Sequence, residues 1–269
     1  MVEHRYLPEA GRVSVLVAIV LLSFALAHFL PVPQGNLSIP IFGIVLTIPL
    51  TLNTILALIS AAITASGMDW LLQTHPLLQK GENREHWLLP TLSVLVMAVT
   101  LGSLSEEVWW WGFGLALFLI LIVFIAEYVV VDPTDHRYKL ATAFLTALGF
   151  AIFLILAVSL RASNGRLFLL APALFLGAFF ASLRTMHLQL NERWEYPWAV
   201  GIGFIAMLLG SSLHYWPITP VRFGLALLAP VYSLTTLAVS LVDGIPLRRA
   251  IVVPGVMLIL FTTFLIWFR

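Results

Sequence analysis

Nine apolar stretches, each close to the length that a helix needs to cross a bilayer, occupy most of this 269-residue chain. Short joins between them hold most of the charged residues, as membrane-spanning helices require. The stretches are Val13–Leu30, Leu52–Leu72, Trp87–Leu104, Val108–Val131, Leu140–Leu160, Leu167–Met186, Pro197–Tyr215, Val221–Val242 and Ala250–Phe268. We therefore expect one all-α membrane domain over residues 1–269, a polytopic transmembrane helix bundle of about nine spans.

Composition excludes most soluble classes of protein. Hydrophobic residues make up 61% of the chain and charged residues 10%, whereas soluble domains average about 45–50% and about 25%. A soluble fold of this size cannot bury so much apolar surface. The net charge of +1 gives no basis for binding nucleic acid, and the absence of cysteine excludes disulfides and thiolate sites. A soluble enzyme, a nucleic-acid-binding domain and a secreted disulfide scaffold are all ruled out.

The positions of lysine and arginine predict the orientation in the membrane. If the N-terminus is cytoplasmic and there are nine spans, ten of the fourteen basic residues lie in cytoplasmic segments and four lie outside. This asymmetry follows the positive-inside rule. The outer loop with Arg161 and Arg166 is the exception, and a cytoplasmic position for it would reduce the count to eight. We expect a multi-pass protein of the cell (inner) membrane, with its N-terminus in the cytoplasm and its C-terminus outside.

The segment between the first two spans does not have a simple helical pattern. Residues 37–50 are rich in β-branched side chains, and Pro40, Gly43 and Pro49 interrupt them. Proline is tolerated at the edge of a strand, and a central glycine suits a turn. The pattern predicts a short β-hairpin on the outer interface, and an irregular apolar loop is the alternative.

Polar side chains gather at the predicted cytoplasmic ends of the spans. No predicted span has Asp, Glu, Lys or Arg at its midpoint, where an ionisable residue would be costly and normally functional. The candidate ligand-binding residues on the inner face are Asp69, His75, Glu127, Asp132, Asp135, Arg184 and His187. If the helix ends converge, these side chains would suit a lipid headgroup, or a diphosphate held with a divalent metal.

A structural role for the same residues is the favoured alternative. Pairing of Asp69 or Glu127 with Arg184 would hold helix ends together, and Asp132-Pro133 predicts a turn. We therefore assign no catalytic residue, no metal ligand and no cofactor.

Two features of the outer face are weaker indications of chemistry. Glu106-Glu107 resembles the first motif of intramembrane CAAX-type proteases, but Trp111 stands where that motif has arginine. Carboxylates at a helix N-terminus are also favoured by the macrodipole. His28 and His214 lie near outer span ends, where two imidazoles can ligate haem, but interfacial histidines are the favoured interpretation.

Two further stretches carry a family resemblance. One is Ala65–Leu72 with His75-Pro76, and the other is Ala126–Pro133 with Arg137-Tyr138. Together they are similar to an uncharacterised family of bacterial polytopic membrane proteins, a domain of unknown function. The resemblance implies a membrane bundle, and no functional residues are carried over from it.

These observations favour a non-enzymatic integral membrane protein, an accessory or scaffold subunit of a membrane complex. Its expected partners are the lipid bilayer and other membrane subunits. One alternative is a small-molecule or lipid transporter whose inner-face site is lined by Asp69, Glu127 and Arg184. Another is a lipid-headgroup or prenyl-diphosphate enzyme that uses the loop Asp132–Tyr138 with a metal.

Overall fold

A computed structural model describes residues 7–30, 35–41, 44–50, 52–77, 86–163, 166–190 and 193–267. The helices are α1 (Ala10–Phe29), α2 (Leu52–Leu72), α3 (Leu88–Leu101), α4 (Glu106–Val130), α5 (Tyr138–Ala162), α6 (Leu167–Gln189), α7 (Tyr196–His214), α8 (Pro220–Val242), α9 (Leu247–Ala250) and α10 (Val252–Trp267). The chain divides into two compact units, one over Tyr6–Tyr128 and the other over Val129–Arg269. The predicted helical bundle is confirmed.

Each of the nine predicted stretches contains a helix, but the helices differ in length. Seven helices of the described residues, with 19 to 25 residues each, are long and apolar enough to cross a membrane. They are α1, α2 and α4 to α8. The helix α3 has 14 residues, which corresponds to about 21 Å against a hydrocarbon core of about 30 Å. The seven long helices indicate a multi-pass membrane protein, and the two further spans stay predictions.

Two extended segments occupy the region between α1 and α2. They are β1 (Gly35–Ile41) and β2 (Ile44–Leu50), which pair antiparallel with Gly35 opposite Leu50 and Ile41 opposite Ile44. Their expected position on the outer interface stays a prediction.

In the first unit, α1 packs on α2, and α2 packs on α3. Polar contacts join the first two helices at different heights. Ser60 donates from Oγ to the Oγ of Ser23 at 2.8 Å, and both serines are buried. Nearer the start of α1, Arg12 Nη1 donates to the backbone oxygen of Trp70 at 2.8 Å, and the guanidinium lies over the indole ring. The arginine thus combines a hydrogen bond with a cation–π contact.

In the second unit, α6 packs against α5 and α7, and α8 packs against α5, α7 and α10. Large apolar side chains from several of these helices form one buried core, including Phe153, Leu174, Phe223 and Leu227. A buried polar contact crosses this unit, where Thr235 on α8 donates from Oγ1 to the Oγ of Ser182 on α6 at 3.0 Å. The hydroxyls are satisfied within the protein, as an apolar surrounding requires.

Two glycines on α7 give a matched test of its packing against α6. A Cβ added at Gly203 would lie 3.0 Å from the backbone oxygen of Phe175, whereas one at Gly201 would meet nothing within 4 Å. We expect Gly203→Leu to lower the free energy of unfolding by about 2 kcal/mol, because overpacking forces the helices apart. Gly201→Leu serves as the control, since it makes the same change in helix propensity. Equilibrium unfolding in mixed detergent measures both, and equal effects would contradict this packing.

Candidate functional site

A buried carboxylate lies at the end of α4. Glu127 is completely buried, and its Oε2 lies 3.0 Å from Nδ1 of His86, which is itself 7% exposed. His86 sits in the turn that precedes α3. A buried carboxylate requires a hydrogen-bond partner. The pair therefore ties the segment before α3 to the end of α4.

The next residue of α4 extends this cluster. The ring of Tyr128 meets the imidazole of His75 edge to face, with centroids 4.8 Å apart. His75 is buried in the turn after α2, where its Nδ1 accepts a hydrogen bond from the backbone N–H of Leu77 at 3.3 Å. We call His75, His86, Glu127 and Tyr128 the α4-end cluster. It brings together the segments that follow α2 and precede α3.

Asp69 lies on an exposed part of α2. Its Oδ2 accepts a hydrogen bond from Nε2 of Gln73, one turn along the same helix, at 3.0 Å. This is the spacing at which helical side chains are neighbours. Asp69 thus has a local partner on its own helix.

The loop between α4 and α5 is built on its two aspartates. Asp132 Oδ1 accepts hydrogen bonds from the backbone N–H of Thr134 at 2.9 Å and from its hydroxyl at 2.6 Å. Asp135 accepts from the backbone N–H of Arg137 at 2.8 Å, and its Oδ2 accepts from Nη2 of the guanidinium at 2.7 Å. Both patterns are turns closed by an Asx side chain. The predicted turn at Asp132-Pro133 is thereby confirmed, and the loop leads directly into α5.

The contact between the guanidinium of Arg137 and the carboxylate of Asp135 shifts the pKa of both groups. The hydrogen bond from Arg137 lowers the pKa of Asp135 to about 2, and the same contact raises the pKa of Arg137. Because the folded pKa of Asp135 is below its ordinary value, the ion pair stabilises the loop at pH 4 and above. That contribution is lost as the pH falls through about 2.

The remaining candidates lie on α6, in the second unit. Arg184 is 1% exposed and His187 is 3% exposed. The imidazole of His187 stacks on the indole of Trp194, with ring centroids 4.2 Å apart and planes 19° from parallel. This stack packs the end of α6 against the start of the segment that leads into α7.

The seven candidates thus fall into separate local groups. Asp69, His75 and Glu127 belong to the first unit, and the others belong to the second. Their convergence, including a pairing of Asp69 or Glu127 with Arg184, stays a prediction. Across the described ranges, no three His, Asp or Glu side chains are arranged to hold a metal ion.

Sequence reasoning missed a pairing between residues at the end of α1 and the start of α4. Nε2 of His28 lies 3.1 Å from Oε2 of Glu106, and its ring stacks on buried Trp109 at 3.9 Å. Ser23 and Asn53 join them around a cavity of about 220 Å³. The sequence points to Glu106 and His28 separately, as parts of two different motifs. It does not pair them, because their contact depends on how α1 and α4 pack.

Comparison with known protein families finds a match over almost the whole chain. Residues 32–268 match the family described as a protein of unknown function, DUF5656. The chain belongs to the DUF5656 family. The predicted membership of a family of unknown function is thereby confirmed, while its bacterial origin stays a prediction. No curated protein and no solved structure matches the chain. The match begins after α1 and includes the α4-end cluster and the loop between α4 and α5.

Proposed function

We propose that this DUF5656 protein is a non-enzymatic multi-pass membrane protein that acts as an accessory or scaffold subunit of a membrane complex. The main support for this proposal is that each candidate carboxylate forms a hydrogen bond or an ion pair with a polar group of the protein. The pairs are Asp69 with Gln73, Glu127 with His86, Asp132 with Thr134 and Asp135 with Arg137. Three of these contacts span four residues or fewer, and the fourth is buried. They support a role in holding helix ends and loops.

The proposed location is the inner membrane of a bacterium, with the N-terminus in the cytoplasm. The support is the charge asymmetry, since ten of the fourteen basic residues fall on one side of a nine-span arrangement. All nine tryptophans also lie at predicted span ends, at the depth that their amphipathic rings prefer.

The proposed partners are other membrane subunits. The exposed side of α7 supports this part of the proposal, because Gly201 there has open space beside it, with Phe204 and Leu208 also exposed. In a bilayer, a small residue on a helix surface lets a neighbouring helix approach closely. A partner helix is therefore expected along this side of α7.

Native purification tests the proposal. The full chain, tagged and expressed at its natural level, is extracted in two mild detergents, and the proteins that co-purify with it are quantified by mass spectrometry. We expect one membrane protein to co-purify, with the same molar ratio of partner to chain in both detergents. Gly201→Leu should reduce that ratio several-fold without unfolding the chain, while Arg248→Gln, a change at an exposed residue of α9, should leave it unchanged.

Either of two results would contradict the proposal. The first is a chain that purifies without a stoichiometric partner in both detergents. The second is an intrinsic activity of the chain alone in proteoliposomes, either solute accumulation, as the transporter alternative requires, or turnover of a lipid headgroup or diphosphate.

A further inference from the structure

A groove opens on the second unit along the first half of α5. Its volume is about 470 Å³, within the range of about 300–1,000 Å³ that is typical of small-ligand sites. The end of α6 and the middle of α8 complete its walls. The lining residues are Tyr138, Lys139, Thr142, Ala143, Thr146, Ala147, Phe150, Gln189 and Tyr232.

The sequence of α5 explains why a groove forms there. The residues Tyr138, Thr142, Thr146 and Phe150 are four apart, as are Lys139, Ala143 and Ala147. Residues four apart lie above one another on a helix, so the two series form adjacent rows. The small side chains in the middle of both rows leave a trough. Large aromatic rings close its far end, where Phe150 and Tyr232 meet edge to face at 5.0 Å.

The depth of the groove matches one leaflet of a bilayer. From Tyr138, the first residue of α5, to Phe150 is a rise of about 18 Å at 1.5 Å per residue. Half of the hydrocarbon core is about 15 Å thick. A groove that starts at a span end and stops near mid-membrane has the length needed to hold a single lipid chain.

The groove changes from polar to apolar along this depth. Lys139 and Gln189 are exposed at its mouth, at the start of α5 and the end of α6. About one and two turns deeper, the hydroxyl oxygens of Thr142 and Thr146 are buried with no hydrogen-bond partner among the described residues. Buried hydroxyls are normally satisfied. Because threonine in a helix adopts two χ1 rotamers, each hydroxyl can turn to donate to an acceptor in the groove.

We propose that this groove is a binding site for one anionic phospholipid. Lys139 and Gln189 bind the phosphate, Thr142 and Thr146 donate to the ester oxygens below it, and one acyl chain follows Ala143 and Ala147 to the ring of Phe150. A cation near the cytoplasmic surface attracts anionic lipid headgroups, and the long stem of lysine reaches that level. This lipid-binding proposal does not depend on the proposed function.

The dimensions favour a lipid chain over a helix of a partner or of a second copy. A helix as long as the groove, about 18 Å, and about 10 Å across occupies about 1,400 Å³. The groove, at about 470 Å³, holds about a third of that volume. A slender, flexible occupant is the better fit.

Native mass spectrometry of the full chain in detergent tests the headgroup contact. Phosphatidylglycerol and phosphatidylethanolamine with identical acyl chains are added in competition, and the bound fraction of each is measured. We expect the wild type to retain one phosphatidylglycerol preferentially. Lys139→Gln should reduce this preference about fivefold, the factor expected for one cation near an anionic leaflet. Arg248→Gln is the matched control, because it removes an exposed charge from α9 outside the groove.

A second variant tests the acyl-chain contact. Ala147→Leu fills the trough and should abolish retention of both lipids at the site. Ala62→Leu, at an exposed alanine of α2, makes the same change elsewhere and should have no effect. Inorganic phosphate added in excess should not displace the bound phosphatidylglycerol, since the acyl chain contributes to binding. Size-exclusion profiles and circular dichroism verify that every variant is folded.

Three results would overturn the proposal. Unchanged retention by Ala147→Leu would place the lipid elsewhere. An equal loss of preference in Lys139→Gln and Arg248→Gln would mean nonspecific attraction to charge. A change of oligomeric state in Ala147→Leu, with lipid binding intact, would assign the groove to a second copy of the chain.

Discussion

Replacing Glu127 with alanine is expected to lower the free energy of unfolding by about 3 kcal/mol, as removing one partner of a buried ionisable pair does. Glu127 is 0% exposed and lies 3.0 Å from the imidazole nitrogen of His86. Alanine would leave a small cavity and remove one polar contact of a buried imidazole, and both changes destabilise the fold. The segment before α3 would also lose its contact with Glu127 of α4.

The chain contains its own control for this prediction. Glu106, at the other end of α4, makes the same kind of contact with His28 at 3.1 Å, but its side chain is 84% exposed. An exposed pair contributes little, so Glu106→Ala should change the free energy of unfolding by less than about 1 kcal/mol. Equilibrium unfolding in mixed detergent compares the two variants. Equal losses for both would show that burial of the Glu127–His86 pair does not determine its contribution.

The positions of the long helices could be predicted from the sequence because the bilayer fixes their length and composition. The fourth predicted stretch, Val108–Val131, differs from the observed α4, Glu106–Val130, by two residues or fewer at each end. A run of apolar side chains bounded by charges is enough to locate such a helix.

Helix ends were harder to predict, because local backbone chemistry determines them. The last predicted span, Ala250–Phe268, starts in the structure at the last residue of α9, and a turn at Ile251 separates it from α10, which starts at Val252. Pro254 has no N–H to donate to the carbonyl of Ala250, so it favours a break there. Similarly, the third predicted stretch extends to Leu104, but α3 ends at Leu101, before Gly102. Hydropathy does not register either effect.

Contacts between candidate residues that are close in the chain could be predicted from the sequence, whereas contacts between distant residues could not. Asp132 with Thr134, and Asp135 with Arg137, are two residues apart, and such spacing already favours an Asx turn. His86, which contacts Glu127, is 41 residues away from it in the chain. Sequence reasoning places Glu127 near a span end, but only the packing of helices brings His86 to it.

Two cysteine variants at the ends of α5 test whether the long apolar helices cross a membrane and whether the N-terminus lies in the cytoplasm. This helix has 25 residues, or about 37 Å, enough to cross a hydrocarbon core of about 30 Å. His136 and Ser163 flank it, and both are exposed. The chain has no cysteine, so His136→Cys and Ser163→Cys each introduce the sole reactive thiol.

Labelling of intact cells with a membrane-impermeant maleimide is the measurement. We expect Ser163→Cys to be labelled in intact cells, whereas His136→Cys should be labelled only after the membrane is permeabilised. A permeant maleimide should label both variants and so confirm that both thiols are accessible. Labelling of both positions from outside would contradict a membrane-spanning α5, and labelling of only His136→Cys would contradict the orientation.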